Sequence, residues 1–329
     1  MIRKGRIIPA AGKEAITLAA EVIRKGGLVA FPTETVYGLG CDALNPEAVA
    51  RVFEAKQRPS FDPLIVHIAD KGALDRLAEA ISPGDYRLME RFWPGPLTLL
   101  LPKRARVPDL VTAGLPTIAV RMPAHPVAQA LIRESAVPIA APSANPFGYV
   151  SPTCAQHVAD GLGEGVDLIL DGGPCPLGVE STIISMIGNR PELLRPGGIT
   201  LEEINLVVGT VVQARGRLAM AAPGLIARHY ATRTPLSILT AQEEQLVMPR
   251  SERAGLLSVT KPRHPPHKYC SIEVLSASGD LREAAQHLFA ALRRLDAQGL
   301  DRLYAEACDE RGLGLAIMDR LRRCAAPRS

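Results

Sequence analysis

The chain has 329 residues, of which 47% are hydrophobic and 22% are charged, a composition typical of one large or two moderate globular domains. Its net charge of +4 slightly favours anionic ligands but is far below that of a dedicated nucleic-acid-binding domain. No run of eighteen apolar residues is present, and no apolar signal-peptide segment follows the basic N-terminus, so we expect no membrane association.

The first two hundred residues alternate helical and strand patterns. We predict helices over 13–25, 47–56, 72–80, 83–92 and 126–133, and another that starts at 151–153. Strands are predicted over 28–31, 64–69, 97–101, 117–121 and 166–170. Most strands lead into a loop rich in Pro, Gly and Ser that contains one or two polar groups. This pattern predicts an α/β fold with a twisted, mostly mixed open sheet and flanking helices.

The stretch 27–67 concentrates polar groups at strand ends. A short apolar strand ends at Phe31 and is followed by Pro32-Thr33-Glu34-Thr35-Val36-Tyr37-Gly38-Leu39-Gly40. Hydroxyls, a carboxylate and a phenol are therefore gathered where open α/β sheets usually bind ligands. Lys56-Gln57-Arg58-Pro59 ends the next helix with two cations, and Asp62-Pro63 leads into the strand that contains His67. We interpret this stretch as a ligand site.

The pattern lapses after about residue 208. Residues 209–235 have no clear periodicity and are interpreted as a linker. Strands over 236–239, 255–259, 271–275 and 300–305, with helices over 280–295 and 313–321, then predict a small Rossmann-like α/β domain. The expected organisation is a catalytic domain over 1–208, a linker or lid over 209–235 and a second domain over 236–329.

The six cysteines are scattered, with no C-x-x-C pair. Neither a zinc site nor a disulfide framework is predicted from this spacing. A reducing cytoplasm is the location that fits best.

Several short motifs occur together in one order. They are Phe31-Pro32-Thr33-Glu34-Thr35-Val36-Tyr37-Gly38-Leu39, Lys56-x-Arg58-Pro59, Pro63-Leu64-Ile65-Val66-His67, Trp93-Pro94-Gly95-Pro96-Leu97-Thr98, Arg121-Met122-Pro123, Pro142-Ser143-Ala144-Asn145, Ser151-Pro152-Thr153, Glu180-Ser181-Thr182-Ile183 and Leu194-Arg195-Pro196-Gly197. Over about residues 10–205 the chain thereby resembles the threonylcarbamoyl-AMP synthase family, the YrdC-like proteins. Residues 223–230 and 312–321 are similar to the linker and second domain of the long form of that family.

The resemblance implies an activity. Such enzymes join L-threonine, bicarbonate and ATP into threonylcarbamoyl-adenylate and release pyrophosphate, with Mg²⁺ accompanying ATP. A separate tRNA-modifying machinery then transfers the threonylcarbamoyl group to an adenosine beside the anticodon. No G-x-x-x-x-G-K-[ST] motif is present, which excludes an ordinary P-loop as the ATP site.

The resemblance also assigns site residues. It places Lys56, Arg58, Ser143 and Asn145 in the catalytic centre. ATP contacts are expected from Arg58, Asp62, Thr117, Ser143, Ser151, Arg195 and Tyr230, and threonine contacts from Thr35, His67, Arg121, the Ala141 backbone and Ser181. Because Tyr230 lies in the linker, the linker is expected to cover the nucleotide as a lid.

The residues themselves support parts of this assignment and leave others open. Arg121 ends a strand and suits a carboxylate, whereas His67 by itself is better explained as a hydrogen-bonded histidine at a strand end. Ser143 and Asn145 are two residues apart, so an extended segment would present both to one ligand, but a local turn explains them as well.

Two positions depart from the family pattern. Asp62 stands where Asn is common in the family, and a carboxylate beside a triphosphate would repel it unless Mg²⁺ bridges them. Thr232 replaces the proline that the family usually has in the linker.

Two other functions remain as alternatives. One is a non-catalytic RNA-binding module with weak tRNA binding, which the low aromatic content of 4% disfavours. The other is a carbamoyl transferase that acts on another substrate. The related transferases contain additional zinc-binding and acylphosphatase-like segments, and this sequence has no recognisable counterpart of them.

Overall fold

The computed structural model describes residues 5–188, 190–214, 229–239 and 252–327. The chain divides into two compact units. The first comprises Met1–Phe147, Ser151–Pro176 and Glu180–Leu225, and the second comprises Gly148–Val150, Leu177–Val179 and Ile226–Ser329. The predicted domain borders at 208 and 235 stay predictions, and residues 215–228 of the predicted linker lie outside the described residues.

The first unit alternates helices with short strands. Its strands are β1 (Arg6–Pro9), β2 (Val29–Phe31), β3 (Gly38–Asp42), β4 (Ile65–His67), β5 (Leu97–Pro102), β6 (Thr117–Arg121), β7 (Ile139–Ala140), β8 (Leu168–Asp171), β9 (Thr182–Ser185), β10 (Glu192–Arg195) and β11 (Val212–Gln213). Its helices are α1 (Lys13–Arg24), α2 (Pro46–Lys56), α3 (Pro83–Phe92), α4 (Asp109–Thr112), α5 (Pro126–Ser135), α6 (Ala155–Leu162) and α7 (Leu201–Val208). Short 3₁₀ turns occur at Lys71–Arg76 and Gly163–Gly165.

These eleven described strands form one sheet in the order β1-β8-β2-β3-β7-β4-β6-β5-β9-β10-β11. The pairing is mixed: β4 runs parallel to β6, for example, but antiparallel to β7. The prediction of a mixed sheet with flanking helices is confirmed. Helices α1 and α5 pack with β2 and β8 around a core that includes Ile23, Phe31 and Leu131.

Three differences from the predicted elements have local causes. β3 was not predicted, because Gly38 and Gly40 give it a low strand propensity. The predicted helix over 72–80 is only a 3₁₀ turn that begins after Asp70, whose side chain accepts a hydrogen bond from the Gly72 N–H. The helix expected to start at Ser151 begins at Ala155 instead, after Cys154, and has no side-chain cap.

The two glycines of β3 provide space for the ring of Phe31. A Cβ atom on Gly40 would lie 2.6 Å from the Phe31 ring and 2.8 Å from Ile139. A Cβ on Gly38 would lie 3.2 Å from the Cβ of Ala141. The Phe31 ring in turn makes an edge contact with His67, at 6.3 Å between centroids. Glycine in β3 therefore permits the packing that supports a predicted site residue.

We predict that Gly40→Ala lowers the free energy of unfolding by about 1–3 kcal/mol, the usual effect of overpacking a close-packed core. Equilibrium denaturation in urea measures this change. Gly165→Ala is the matched control, because a Cβ there lies 3.7 Å from its nearest neighbour, an ordinary van der Waals contact. Equal stabilities of the two variants would contradict the proposed steric role of Gly40.

The second unit contains a smaller parallel sheet. Its strands β12 (Leu236–Leu239), β13 (Ala254–Ser258), β14 (Ser271–Val274) and β15 (Arg302–Glu306) are ordered β12-β15-β13-β14, and all three pairings are parallel. Helices α8 (Leu281–Asp296) and α9 (Gly314–Ala325) accompany them, with a 3₁₀ turn at Pro266–Lys268. The prediction of a Rossmann-like second domain is confirmed. None of the helices in the described ranges has the length and apolar character needed to cross a membrane.

Candidate functional site

Lys56 is the last residue of α2 and is fully buried. Asn45 caps the start of α2 and Pro46 occupies its first turn, while Gln57 adopts a left-handed conformation that ends the helix. The Lys56 ammonium donates hydrogen bonds to the carbonyl oxygens of Ser143 and Asn145. An ammonium has three N–H groups. The contacts that the structure describes use two of them, and the third is left for a ligand.

Burial lowers the pKa of Lys56 well below its usual range, and the nearby Arg58 lowers it further. Asp62 acts in the opposite direction and favours the charged form. A bound anion would favour the charged form of Lys56. It would compensate for the lost hydration of the ammonium and for its repulsion by Arg58.

Arg58 is buried beside Asp62. Its Nη2 lies 2.8 Å from the Asp62 carboxylate, and it donates to the carbonyl oxygens of Asp62 at 3.0 Å and Pro63 at 2.8 Å. Its guanidinium also lies over the Phe147 ring, 5.9 Å from the centroid. Asp62 therefore has a role that the sequence did not indicate: it neutralises Arg58 and fixes its orientation. We call Lys56, Arg58, Asp62, Ser143 and Asn145 the lysine cluster.

The loop that contains Ser143 and Asn145 is not extended, which corrects one of the two interpretations made from the sequence. The Asn145 N–H donates to the Ser143 carbonyl at 3.0 Å, so the backbone turns between them. Ser143 forms a backbone bridge with Gly38, and the Ala141 N–H donates to Ile65 of β4. The loop thus presents its carbonyl groups to Lys56.

Arg121 is the last residue of β6 and is buried. Its Nη1 donates to the Thr35 hydroxyl at 2.9 Å, and its Nε donates to the Gly95 carbonyl at 3.3 Å. Its Nη2 lies 2.7 Å from Oε1 of Glu34. Two of the five guanidinium N–H groups are thereby hydrogen-bonded, and the Nη2 end faces the Glu34 carboxylate.

His67 lies beside Arg121, because the two residues are paired in the parallel β4–β6 register. Its Nδ1 is buried and makes no hydrogen bond with the described residues. The sequence favoured a hydrogen-bonded histidine at a strand end, and backbone groups of Ile65 and Ile139 do act on this imidazole. The ligand-binding role of His67 stays a prediction. Burial, with a further contribution from Arg121, lowers the pKa of His67 to about 3, so the imidazole is neutral at physiological pH.

This low pKa predicts a pH dependence of stability. Between pH 6.5 and about 3 the unfolded chain binds a proton at His67 that the folded chain does not, so stability decreases as pH falls through this window. We expect His67→Gln to flatten this part of the profile, measured by urea denaturation between pH 7 and 4. His267→Gln, at an exposed position, is the control. An unchanged slope in the His67 variant would contradict the prediction.

Ser181 lies just before β9 and connects two further groups. Its hydroxyl hydrogen-bonds with that of Thr98 at 2.7 Å, and Thr98 is paired with Arg121 in the β5–β6 register. Arg195 donates to the Ser181 carbonyl at 3.0 Å and to its hydroxyl at 3.2 Å. We call Thr35, His67, Arg121, Ser181 and Arg195, with Glu34 and Thr98, the arginine cluster. Arg195, expected at ATP, thus contacts a residue expected at threonine.

The remaining predicted residues lie at three places. The Ser151 hydroxyl donates to the Glu180 carboxylate at 2.6 Å, next to Ser181. Thr117 begins β6, at the opposite end from Arg121, and its buried hydroxyl makes no hydrogen bond with the described residues.

Tyr230 belongs to the second unit, where its ring stacks on that of Phe289 at 5.4 Å between centroids. The guanidinium carbon of Arg320 lies 5.0 Å from the centre of the Tyr230 ring. The ATP assignment of Tyr230 and the lid stay predictions.

Sequence reasoning missed three side chains that hold the predicted residues in place. They are Glu34 beside Arg121, Thr98 beside Ser181 and Glu180 beside Ser151. All three lie inside the motifs quoted above, and this position in a motif is the sequence feature that could have identified them. Their partners are 29 to 87 residues away, and these pairings become visible only in the fold.

Comparison with known proteins assigns the chain to a family. Residues 21–197 match the Sua5/YciO/YrdC family model described as "Telomere recombination", and residues 199–326 match the model described as "Threonylcarbamoyl-AMP synthase, C-terminal domain". The threonylcarbamoyl-AMP synthase of Pyrococcus abyssi is 45% identical over 325 residues, which cover 95% of this chain and 94% of that protein. The Bacillus subtilis protein of the same name is 44% identical, with 95% and 93% coverage.

A solved structure supports the same assignment. The crystal structure of P. abyssi Sua5 complexed with L-threonine has a TM-score of 0.90 and 43% sequence identity to this chain, and the match covers 97% of each chain. The similarity thus extends over both units. The chain belongs to the threonylcarbamoyl-AMP synthase family, in its two-domain form.

Proposed function

We propose that this protein is an L-threonylcarbamoyladenylate synthase, a nucleotidyltransferase that converts L-threonine, bicarbonate and ATP into threonylcarbamoyl-adenylate and pyrophosphate. The observation that carries the proposal is the placement of two buried cationic groups along β4. Arg58 binds the Pro63 carbonyl just before this strand, and Arg121 is paired with His67 at its end. Four residues of extended chain separate these points by about 13 Å. One end suits a phosphate group and the other an amino acid carboxylate.

The arginine cluster supplies the threonine contacts in this proposal. Arg121 offers N–H groups to the carboxylate, while His67 offers a neutral imidazole beside it. Thr35 and Ser181 supply hydroxyl groups that Arg121 and Thr98 orient. A site with such groups favours a ligand that hydrogen-bonds to them over one that lacks the matching groups.

The lysine cluster supplies the ATP contacts and the catalytic charge. The threonine amine first adds to the carbon of bicarbonate with loss of water, which gives a carbamate. A carbamate oxygen then attacks the α-phosphorus, the bond to the β-phosphate oxygen breaks, and pyrophosphate leaves. Catalysis of such a transfer depends on positioning and charge neutralisation. The remaining N–H of Lys56 is suited to stabilise the charge on the transferred phosphate.

Mg²⁺ enters the proposal together with ATP. Asp62 is the acidic side chain among the expected ATP contacts, and Arg58 already neutralises it at 2.8 Å. Within the described ranges, no group of three or more His, Cys, Asp or Glu side chains is arranged to hold a metal ion. We therefore propose that phosphate oxygens and water supply most of the Mg²⁺ ligands, and that the ion neutralises charge on the phosphates.

The proposed product also suggests a cellular role. A carbamoyl-adenylate is a reactive mixed anhydride, so an acceptor must receive its threonylcarbamoyl group. We propose that the receiving system is a tRNA-modifying machinery in the cytoplasm. All six cysteines are free thiols, which is compatible with a reducing compartment.

Product analysis tests the proposed function. Purified protein is incubated with ATP, Mg²⁺, L-threonine and ¹³C-bicarbonate. The nucleotides are then separated, and their masses are measured by mass spectrometry. The expected result is an adenylate that contains threonine and one ¹³C atom. AMP formation without a threonine-containing adenylate would contradict the proposal.

A further inference from the structure

Glu34 and Arg121 form a buried ion pair with an unusual geometry. Oε1 of Glu34 lies 2.7 Å from Nη2 of Arg121, and the two side chains are 10% and 4% exposed. Both atoms are inaccessible to solvent, and neither makes a hydrogen bond with the described residues. The two charges therefore touch, but the N–H groups of Nη2 do not point at the carboxylate oxygen.

Buried charged atoms are normally hydrogen-bonded, because desolvation of an unsatisfied charged group is costly. Here an acceptor, Oε1, and a donor, Nη2, lie side by side without hydrogen bonds. A ligand that satisfies both must provide an acceptor for Arg121 and a donor for Glu34, separated by only a few ångströms.

The loops around this pair hold it in place. The Ala124 N–H, three residues after Arg121, donates to Oε2 of Glu34 at 3.1 Å. Thr35, next to Glu34, accepts from Nη1 of Arg121. The hydroxyl of Thr33 accepts from the backbone N–H groups of Thr35 and Val36 at 3.1 and 3.2 Å, which fixes the turn on which Glu34 lies. The two loops are thus cross-linked on both sides of the ion pair, so the pair is preorganised.

An α-amino acid zwitterion has the required chemistry, because its carboxylate and its ammonium are attached to the same carbon atom. We propose that Glu34 is a substrate-binding residue that accepts a hydrogen bond from the ammonium of threonine, while Arg121 binds the threonine carboxylate. This inference rests on the proposed function for the identity of the amino acid. It adds to the threonine contacts a carboxylate that the sequence did not assign.

The simpler explanation is that Glu34 only neutralises Arg121. The two explanations differ in their response to the ligand amine. A counter-ion that acts only on Arg121 affects every carboxylate ligand equally, whereas an ammonium acceptor adds an effect on ligands that have an amine. 3-Hydroxybutanoate, which keeps the carboxylate and hydroxyl of threonine but lacks the amine, separates the two.

Isothermal titration calorimetry of the full-length protein tests the proposal with L-threonine and 3-hydroxybutanoate. Glu34→Gln keeps the shape of the side chain and removes its charge. We expect this variant to bind threonine about 10- to 100-fold more weakly, the loss typical of a hydrogen bond to a charged group. Its affinity for 3-hydroxybutanoate is expected to stay the same or to increase, because that ligand has no amine and Arg121 loses its counter-ion. Glu306→Gln, which removes an equally buried carboxylate in the second unit, is expected to leave the affinity ratio unchanged.

Two results would overturn the proposal. One is an equal change in affinity for both ligands in Glu34→Gln. The other needs no variant: equal affinities of the wild-type protein for threonine and 3-hydroxybutanoate would show that the amine is not recognised. Failure of the proposed function gives a different result, since threonine would then bind with the expected preference while no threonylcarbamoyl-adenylate is formed.

Discussion

Lys56→Met is expected to reduce the rate of pyrophosphate release at saturating substrate by about 10²- to 10³-fold, the usual effect of removing one preorganised charged donor. Methionine fills a similar volume but cannot donate to the carbonyl oxygens of Ser143 and Asn145 or to a phosphate group. Steady-state kinetics, with thermal unfolding measured in parallel, separates the catalytic effect from a loss of fold.

The matched control is Lys25→Met. Lys25 follows α1, and its side chain is 78% exposed beside Glu21, so its removal is expected to change stability by less than about 1 kcal/mol and to leave the rate intact. The lowered pKa of Lys56 also predicts the pH dependence of the wild-type activity. Wild-type activity is expected to decline on the alkaline side at a lower pH than an ordinary lysine would give. A wild-type rate in Lys56→Met would contradict its catalytic role.

Arg121→Met is expected to abolish threonine-dependent activity and to lower the free energy of unfolding by about 3–5 kcal/mol, because it leaves the buried Glu34 carboxylate without its counter-ion. Denaturation in urea and pyrophosphate release measure the two effects on the same preparation. Arg294→Met is the control. Arg294 pairs with Glu273 at the surface, where an ion pair contributes less than about 1 kcal/mol.

A double variant separates the two roles of Arg121. Adding Glu34→Gln to Arg121→Met removes the unpaired charge, so stability is expected to recover in part while activity stays absent. Recovery of activity together with stability would mean that Arg121 only supports the fold. Because Glu34 is itself proposed to bind threonine, absent activity in the double variant is expected from both residues, and recovered activity would contradict a binding role for either.

The motifs predicted the local structure around the candidate site because each combines turn chemistry with one reactive side chain. Pro46 and the left-handed Gln57 bound α2 and thereby place Lys56 and Arg58 at its end. The apolar runs before His67 and Arg121 predicted the two strands, although not their parallel pairing. These features are local in sequence, which is why a single sequence indicates them.

The features that escaped prediction depend on contacts between distant segments. Asp62 was expected among the ATP contacts, and its ion pair with Arg58 was not foreseen. Glu34 and Arg121 are 87 residues apart, so their pairing follows from the approach of two loops rather than from any periodicity. β3 was missed because its glycines weaken the strand pattern, yet those glycines are required for Phe31 to pack across it.

The central claim is that one site uses ATP, threonine and bicarbonate together. The most direct measurement follows pyrophosphate release by the purified protein with ATP and Mg²⁺ while threonine and bicarbonate are omitted in turn. The account predicts release only when both are present. Release that persists without either substrate, or no release in the complete mixture, would contradict the account, and tRNA binding at increasing salt would then test the RNA-binding alternative.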